Sequence, residues 1–175
     1  MKIDQITAVI TGATGGIGRS FCQHLIENGA TIIMVGRDER ALEDFQHELL
    51  VQMVVKPNQV HFYACDLLKN EDRQSLIHHI ENFHCPVNTL INNAGDNEFG
   101  LLENLTDQRM ENIMRLNTFI PMSLSRALIP HFSRQEQAQI INIGSTFGSI
   151  GYPGYSVYCS SKFALRGFSE ALRRE

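Results

Sequence analysis

TAVITGATGGIG, residues 7–18, is the stretch whose reading decides the fold. It opens on a short apolar, partly β-branched run, Thr7–Thr11, of the length of a buried strand. Glycines follow at Gly12, Gly15, Gly16 and Gly18, and from Gly16 onward apolar residues recur at helical spacing. A strand that passes through a glycine turn into a helix offers free backbone N–H groups and the positive end of a helix dipole. Small residues at the turn let the main chain approach a pyrophosphate. A flexible turn is the plainer explanation, and the spacing G-x-x-x-G-x-G is not the commonest dinucleotide fingerprint. The position of the glycines, at the first strand–helix junction, favours a dinucleotide.

Working outward, further apolar runs lie at residues 31–35, 60–64, 89–92 and 139–144. Between them, residues 16–28, 39–52, 70–83 and 106–132 carry apolar positions at helical spacing, and a last helix is predicted from about Tyr155. Continuous apolar strands separated by helices imply parallel strands covered on both faces. The predicted fold class is therefore α/β: a doubly wound parallel sheet in three layers, α/β/α, with right-handed crossovers. No linker or internal repeat divides it, so residues 1–175 are expected to form a single dinucleotide-binding domain.

Composition narrows the classes of partner. The chain carries 15 Lys and Arg against 19 Asp and Glu, a net charge of -4, with no basic block, so nucleic acid is not an expected partner. Four cysteines, Cys22, Cys65, Cys85 and Cys159, are scattered without metal spacing, as free thiols in a reducing cytoplasm would be. No metal is expected, and His78 and His79 are assigned to a solvated helix face. The start of the chain does not resemble a signal peptide. The longest uncharged window, residues 137–161, is too rich in Gly, Ser and Pro for a membrane helix, so no membrane partner is expected.

In a doubly wound sheet, ligands bind at the carboxyl ends of the strands. The second run is followed by Gly36, Arg37 and Asp38. Gly36 cannot hold a ribose hydroxyl, whereas Arg37 can pair with a 2′-phosphate, so NADP is favoured over NAD; Asp38 competes from one step farther out. The third run is followed by Asp66 and Leu67, and the carboxylate suits either an adenine amino group or a helix cap. After the fourth run comes Asn92-Asn93-Ala94-Gly95, small enough for close approach to a cofactor. The fifth is followed by Ser145, with Tyr158 and Lys162 13 and 17 residues farther on. Four residues are one helical turn, which sets Tyr158 and Lys162 on one face roughly 6 Å apart at Cβ. A cation that close favours phenolate, as a proton donor or acceptor working near neutral pH requires.

Together these residues resemble the short-chain dehydrogenase/reductase family. T-G-x-x-x-G-x-G matches Thr11, Gly12, Gly16 and Gly18; N-N-A-G matches residues 92–95; the helix asparagine matches Asn117, the strand-end serine Ser145, and Y-x-x-x-K Tyr158 and Lys162. The resemblance covers nearly the whole chain. It implies a Rossmann fold in which Gly12, Thr14, Gly15, Gly16, Ile17, Gly18, Arg37, Asp66, Leu67, Asn93, Ala94, Gly95, Tyr158 and Lys162 line an NADP(H) site, with Asp66 by the adenine. It further implies that Tyr158 acts as general acid/base on a carbonyl or secondary alcohol and that Ser145 hydrogen-bonds the same oxygen. Lys162 would bind the nicotinamide ribose, and Asn117 would position a water. Residues 146–153, with Phe147, Ile150 and Tyr152, are expected to line the substrate side. A homodimer or homotetramer formed through helix 106–132 and the Tyr155 helix is expected. Family members continue well beyond the point where this sequence stops, which suggests truncation inside the last helix and an exposed fifth strand. The alternative is a non-catalytic dinucleotide-binding module or an inactive remnant of such an enzyme. An acyl-transfer enzyme built on Ser145 is disfavoured, since no G-x-S-x-G elbow surrounds it.

Overall fold

The computed structural model describes residues 1–53 and 56–175. Strands β1 (Thr7–Thr11), β2 (Thr31–Gly36), β3 (Val60–Ala64), β4 (Thr89–Asn92) and β5 (Gln139–Asn142) form one sheet in the order β3-β2-β1-β4-β5, and every pairing is parallel. The main helices are α1 (Gly16–Glu27), α2 (Glu39–Gln52), α3 (Asn70–Glu81), α4 (Asp107–Met114), α5 (Ile120–Phe132) and α6 (Ser156–Leu172). This is the doubly wound parallel fold that the sequence predicts.

Successive strand residues point to opposite faces, and here both faces are covered. Ala8 and Ile10 of β1 and Ile32 and Met34 of β2 pack with Cys22 of α1 and with Leu42, Phe45 and Leu49 of α2. Val9, Ile33 and Val35 face the other way, onto Leu76 and Ile80 of α3 and Leu124 and Leu128 of α5. Burial on both sides is why these strands read as unbroken apolar runs. Phe45 is fully buried, and truncating a side chain of that size to alanine costs about 3–5 kcal/mol.

Local chemistry sets the helix starts. Asp38 caps α2 by accepting from the Ala41 N–H at 3.1 Å, and Thr106 caps α4 by accepting from the Arg109 N–H at 3.2 Å. The helix predicted over residues 106–132 is not uniform: a π-helical turn, Arg115–Phe119, separates α4 from α5. Pro121 is the cause. It has no N–H to give and its ring crowds the carbonyl four residues back, that of Asn117, so the turn widens. β5 ends at Asn142 rather than residue 144, although the Ile143 N–H still donates to the Asn92 carbonyl at 2.9 Å. It is an edge strand, as expected, with Ile140 and Ile141 only half-buried.

All four cysteines are free. Among the described residues there is no cluster of three or more metal-ligating side chains, and no helix is long and apolar enough to cross a membrane. His78 is solvated as predicted, but His79 is half-buried, its ring 4.7 Å from that of Tyr63; an edge strand leaves that aromatic face open to be covered.

The chain runs from β1 outward to β3 on one side and from β4 to β5 on the other. The carboxyl ends of β1 and β4 therefore diverge at a crevice.

Candidate active site

Thr11 closes β1 and organises that crevice. Its Oγ1 accepts from the N–H groups of Asn93 and Ala94, both at 3.0 Å, so the loop after β4 is fixed to the end of β1. Asn93 returns the tie: its Nδ2 donates to the carbonyls of Thr11 at 2.9 Å and Gly12 at 3.0 Å. Gly12 has φ +64°, and a Cβ there would stand 2.9 Å from Ala94 Cα. A Cβ on Gly18 would stand 2.2 Å from the Gly12 carbonyl oxygen. Gly16 differs: its Cβ direction meets nothing within 4 Å, so the space beside the α1 N-terminus is left empty.

A cavity of about 490 Å³ opens at this point. Gly12, Thr14, Gly15, Gly16, Ile17 and Gly18 line one side, with Arg37, Asp66 and Leu67 beyond β2 and β3, and Asn93, Ala94 and Gly95 opposite. The size is in the range of ligand pockets. No acidic residue occupies the first turn of α1, and Arg37 stands exposed at the rim. Asp38 is engaged as the cap of α2. A glycine cradle, a free helix N-terminus and a rim cation fit an anionic dinucleotide.

The two readings of Asp66 separate here. Helix α3 is preceded by Lys69 and has no side-chain cap, so Asp66 is not its cap. Its Oδ1 accepts from the Leu68 N–H at 3.1 Å, a tight Asx turn that keeps the carboxylate on the cavity wall. Asp96 and Leu116 also line the cavity, and neither stood out in the sequence. The only signal for Asp96 was its place directly after Gly95.

Lys162 stands behind the Gly95 wall of this cavity rather than lining it. Its Nζ is 3.7 Å from the Cβ position of Gly95 and donates to the Ile143 carbonyl at 2.8 Å. The side chain is buried, and burial holds its pKa below the ordinary 10.5. Nζ is 5.8 Å from the centre of the Tyr158 ring. Ser145 and Lys162 together border a second hollow of about 580 Å³. Ser145 Oγ accepts from the Phe147 N–H at 3.2 Å, which leaves its own hydrogen free to donate. The Phe147 ring stands edge-on to Tyr158 at 6.3 Å and stacks on Tyr152 at 5.2 Å. Tyr152 and Ile150 are more than half exposed beside it. Ser145 and Lys162 thus share a hollow past the end of β5, with the Tyr158 ring beside the Lys162 ammonium; neither Tyr158 nor Lys162 lines the glycine cavity itself.

Asn117 is fully buried behind them on the π-helical turn. Its Oδ1 accepts from the Asp96 N–H at 2.8 Å, while Nδ2 donates to the Asp96 carbonyl at 2.7 Å and to Ser161 Oγ at 3.0 Å. Ser161, which the sequence did not single out, donates in turn to the Tyr158 carbonyl at 2.7 Å.

The family model described as short chain dehydrogenase matches residues 6–175. The chain belongs to the short-chain dehydrogenase family.

Relatives of this short-chain dehydrogenase include 3-oxoacyl-(acyl-carrier-protein) reductase FabG of Haemophilus influenzae, 31% identical over 96% of this chain and 66% of that protein. Dehydrogenase/reductase SDR family member 7B of Mus musculus is 32% identical over 95% of this chain and 52% of its own. The 3-dehydrosphinganine reductase of Danio rerio is 30% identical over 100% of this chain and 53% of its own. The chain thus spans about half to two thirds of the length of these relatives. Among solved structures, a metagenomic short-chain oxidoreductase in complex with NADP superimposes with a TM-score of 0.88 at 27% identity, covering 99% of this chain and 79% of that one. The bulky-bulky ketone specific alcohol dehydrogenase of Comamonas testosteroni also gives 0.88 at 27% identity, over 97% and 66%.

Proposed function

We propose that this chain carries the cofactor cleft and proton-handling residues of an NADP(H)-dependent oxidoreductase that interconverts a carbonyl and a secondary alcohol. One observation supports this above the rest: buried Lys162 reaches the Gly95 wall of the glycine cavity while sharing a turn of α6 with Tyr158 and a hollow with Ser145. Nucleotide binding and proton handling are therefore adjacent.

Gly12, Thr14, Gly15, Gly16, Ile17 and Gly18 would cradle the pyrophosphate, with Asp66 and Leu67 beside the adenine and Asn93, Ala94 and Gly95 opposite. Arg37 would pair with a 2′-phosphate, and the engagement of Asp38 in the α2 cap favours NADP(H) over NAD(H). When bound, the nicotinamide supplies or accepts the hydride. In the reductive direction Tyr158 donates its phenolic proton to the oxygen of the substrate carbonyl as charge develops there. Ser145 donates its free hydroxyl hydrogen to the same oxygen. Lys162 holds positive charge beside Tyr158 and binds the nicotinamide ribose. Asn117 positions the Gly95–Asp96 wall and, through Ser161, the Tyr158 turn. The aromatic surface of Phe147, Tyr152 and Tyr155 suits a substrate with an apolar group next to its carbonyl. Assembly into a homodimer or homotetramer would cover the exposed Phe119 and Phe163, on the π-helical turn and α6.

The test is ketone-dependent oxidation of NADPH, followed by absorbance, for the wild type and Tyr158→Phe. The variant should bind NADPH normally and turn over about 10²–10⁴-fold more slowly. An unchanged rate would remove Tyr158 from the proton-donor role.

A further inference from the structure

We propose that Arg109 is a positioning residue of the cofactor cavity: it fastens residues 96–98 to α4 and so sets the wall in front of Asn117 and Lys162. The proposal rests on the cofactor reading of that cavity.

Arg109 is the third residue of α4, in the first turn, where the helix dipole disfavours a cation. Its guanidinium is committed to the loop after β4. Nη1 and Nη2 donate to the two oxygens of Asp96, the second at 3.0 Å. Nη2 also donates to the Asn97 carbonyl at 2.9 Å, and Nε donates to Glu98 Oε2. One side chain thereby holds three consecutive residues in a segment without regular secondary structure.

The same helical run grips Asp96 a second time. Asn117, two turns beyond Arg109, holds the Asp96 main chain by both its N–H and its carbonyl, at 2.8 and 2.7 Å. Arg109 fixes the side chain of the residue and Asn117 its backbone. Asp96 lines the cavity and follows Gly95, whose Cβ position is 3.2 Å from Asn117 Oδ1 and 3.7 Å from Lys162 Nζ. A shift of this segment moves the wall against which Lys162 is set. Hydrogen bonding from Arg109 also holds the Asp96 carboxyl below its usual range, so the pair stays charged on both sides.

The tie acts through position more than through stability. Arg109, Asp96 and Glu98 are 30%, 40% and 42% exposed, and ion pairs that exposed contribute little to folding. The planar fork is what engages several acceptors at once, and lysine cannot reproduce it. Arg109 also offsets two carboxylates near a cavity meant for a polyanion.

The experiment compares the wild type, Arg109→Lys, Arg109→Met, Asp96→Asn and the Arg109→Met/Asp96→Asn double variant. It reads melting temperature, NADPH affinity by fluorescence titration, and amide hydrogen exchange of residues 96–98. Arg109→Met should melt close to the wild type yet bind NADPH about tenfold more weakly, with faster exchange at residues 96–98. Arg109→Lys should fall between, and Asp96→Asn should add little to Arg109→Met because both cut one tie. Wild-type affinity and wild-type exchange in Arg109→Met would overturn the proposal; should that variant not fold, the same result in Arg109→Lys would do so. A wild type that binds neither NADPH nor NADH would instead overturn the cofactor reading, and the exchange rates alone would then decide the clamp.

Discussion

One methyl group, added at Gly18 or at Gly16, separates packing from ligand binding. In Gly18→Ala the new Cβ would lie 2.2 Å from the Gly12 carbonyl oxygen and 2.8 Å from Ala13 Cα. Both obstacles are backbone, so the turn and α1 must part by about 1 Å to restore van der Waals contact. Overpacking of this kind costs about 1–3 kcal/mol, and the upper end applies where nothing flexible can yield. Better helix propensity offsets at most about 1 kcal/mol. The net loss of about 2 kcal/mol corresponds to a fall of about 4–8 °C in melting temperature for a chain of this size. Gly16→Ala meets nothing within 4 Å, and its lower unfolded-state entropy stabilises by up to about 1 kcal/mol. Its methyl, however, stands in the cradle at the helix N-terminus, so NADPH affinity should drop at least about tenfold. Thermal melts by circular dichroism without ligand, paired with NADPH titrations, give both numbers. A Gly18→Ala protein that melts with the wild type would refute the packing argument. Undiminished NADPH affinity in Gly16→Ala would refute the cradle.

Two further outcomes are expected. Lys162→Met should lose ketone reduction yet melt no lower than the wild type, because a buried ammonium costs several kcal/mol and its hydrogen bond to Ile143 returns about 1 kcal/mol. Burial lowers the folded-state pKa of Lys162, so from that value up to 10.5 the unfolded chain binds more protons and stability rises with pH. The variant's margin over the wild type should therefore be largest at neutral pH and shrink as pH climbs toward 10.5, as melts across pH will reveal. Arg37→Ala should weaken NADPH at least about tenfold while leaving NADH within about twofold, an effect that fades with added salt; equal losses for both cofactors would exclude a 2′-phosphate contact.

Much of the fold was legible because burial on both sheet faces leaves apolar runs such as TIIMV with no other explanation. The glycine cradle was legible for a similar reason: Gly12 and Gly18 are demanded by close backbone contacts that no other residue permits. The π-helical turn was hidden, since over five residues its period scarcely differs from that of an α-helix, and Pro121 was the one clue. Asp66 stayed ambiguous because a cap and a ligand site both call for a carboxylate after a strand. The ties from Thr11 to Asn93, from Arg109 to Asp96 and from Asn117 to Ser161 join residues 82, 13 and 44 positions apart. Only the tertiary fold brings such partners together, so no local pattern announced them.

The most direct measurement is a titration of the protein with NADPH followed through its backbone amide chemical shifts. Shifts should concentrate at residues 12–18 in the glycine turn and at residues 93–96 after β4, with Arg37 and residues 66–68 responding in the same titration and with the same affinity. Saturable binding that leaves the glycine turn unmoved, or that perturbs only the hollow bordered by Tyr63 of β3 and by Gln74 and His78 of α3, would contradict a cofactor cleft at the ends of β1 and β4.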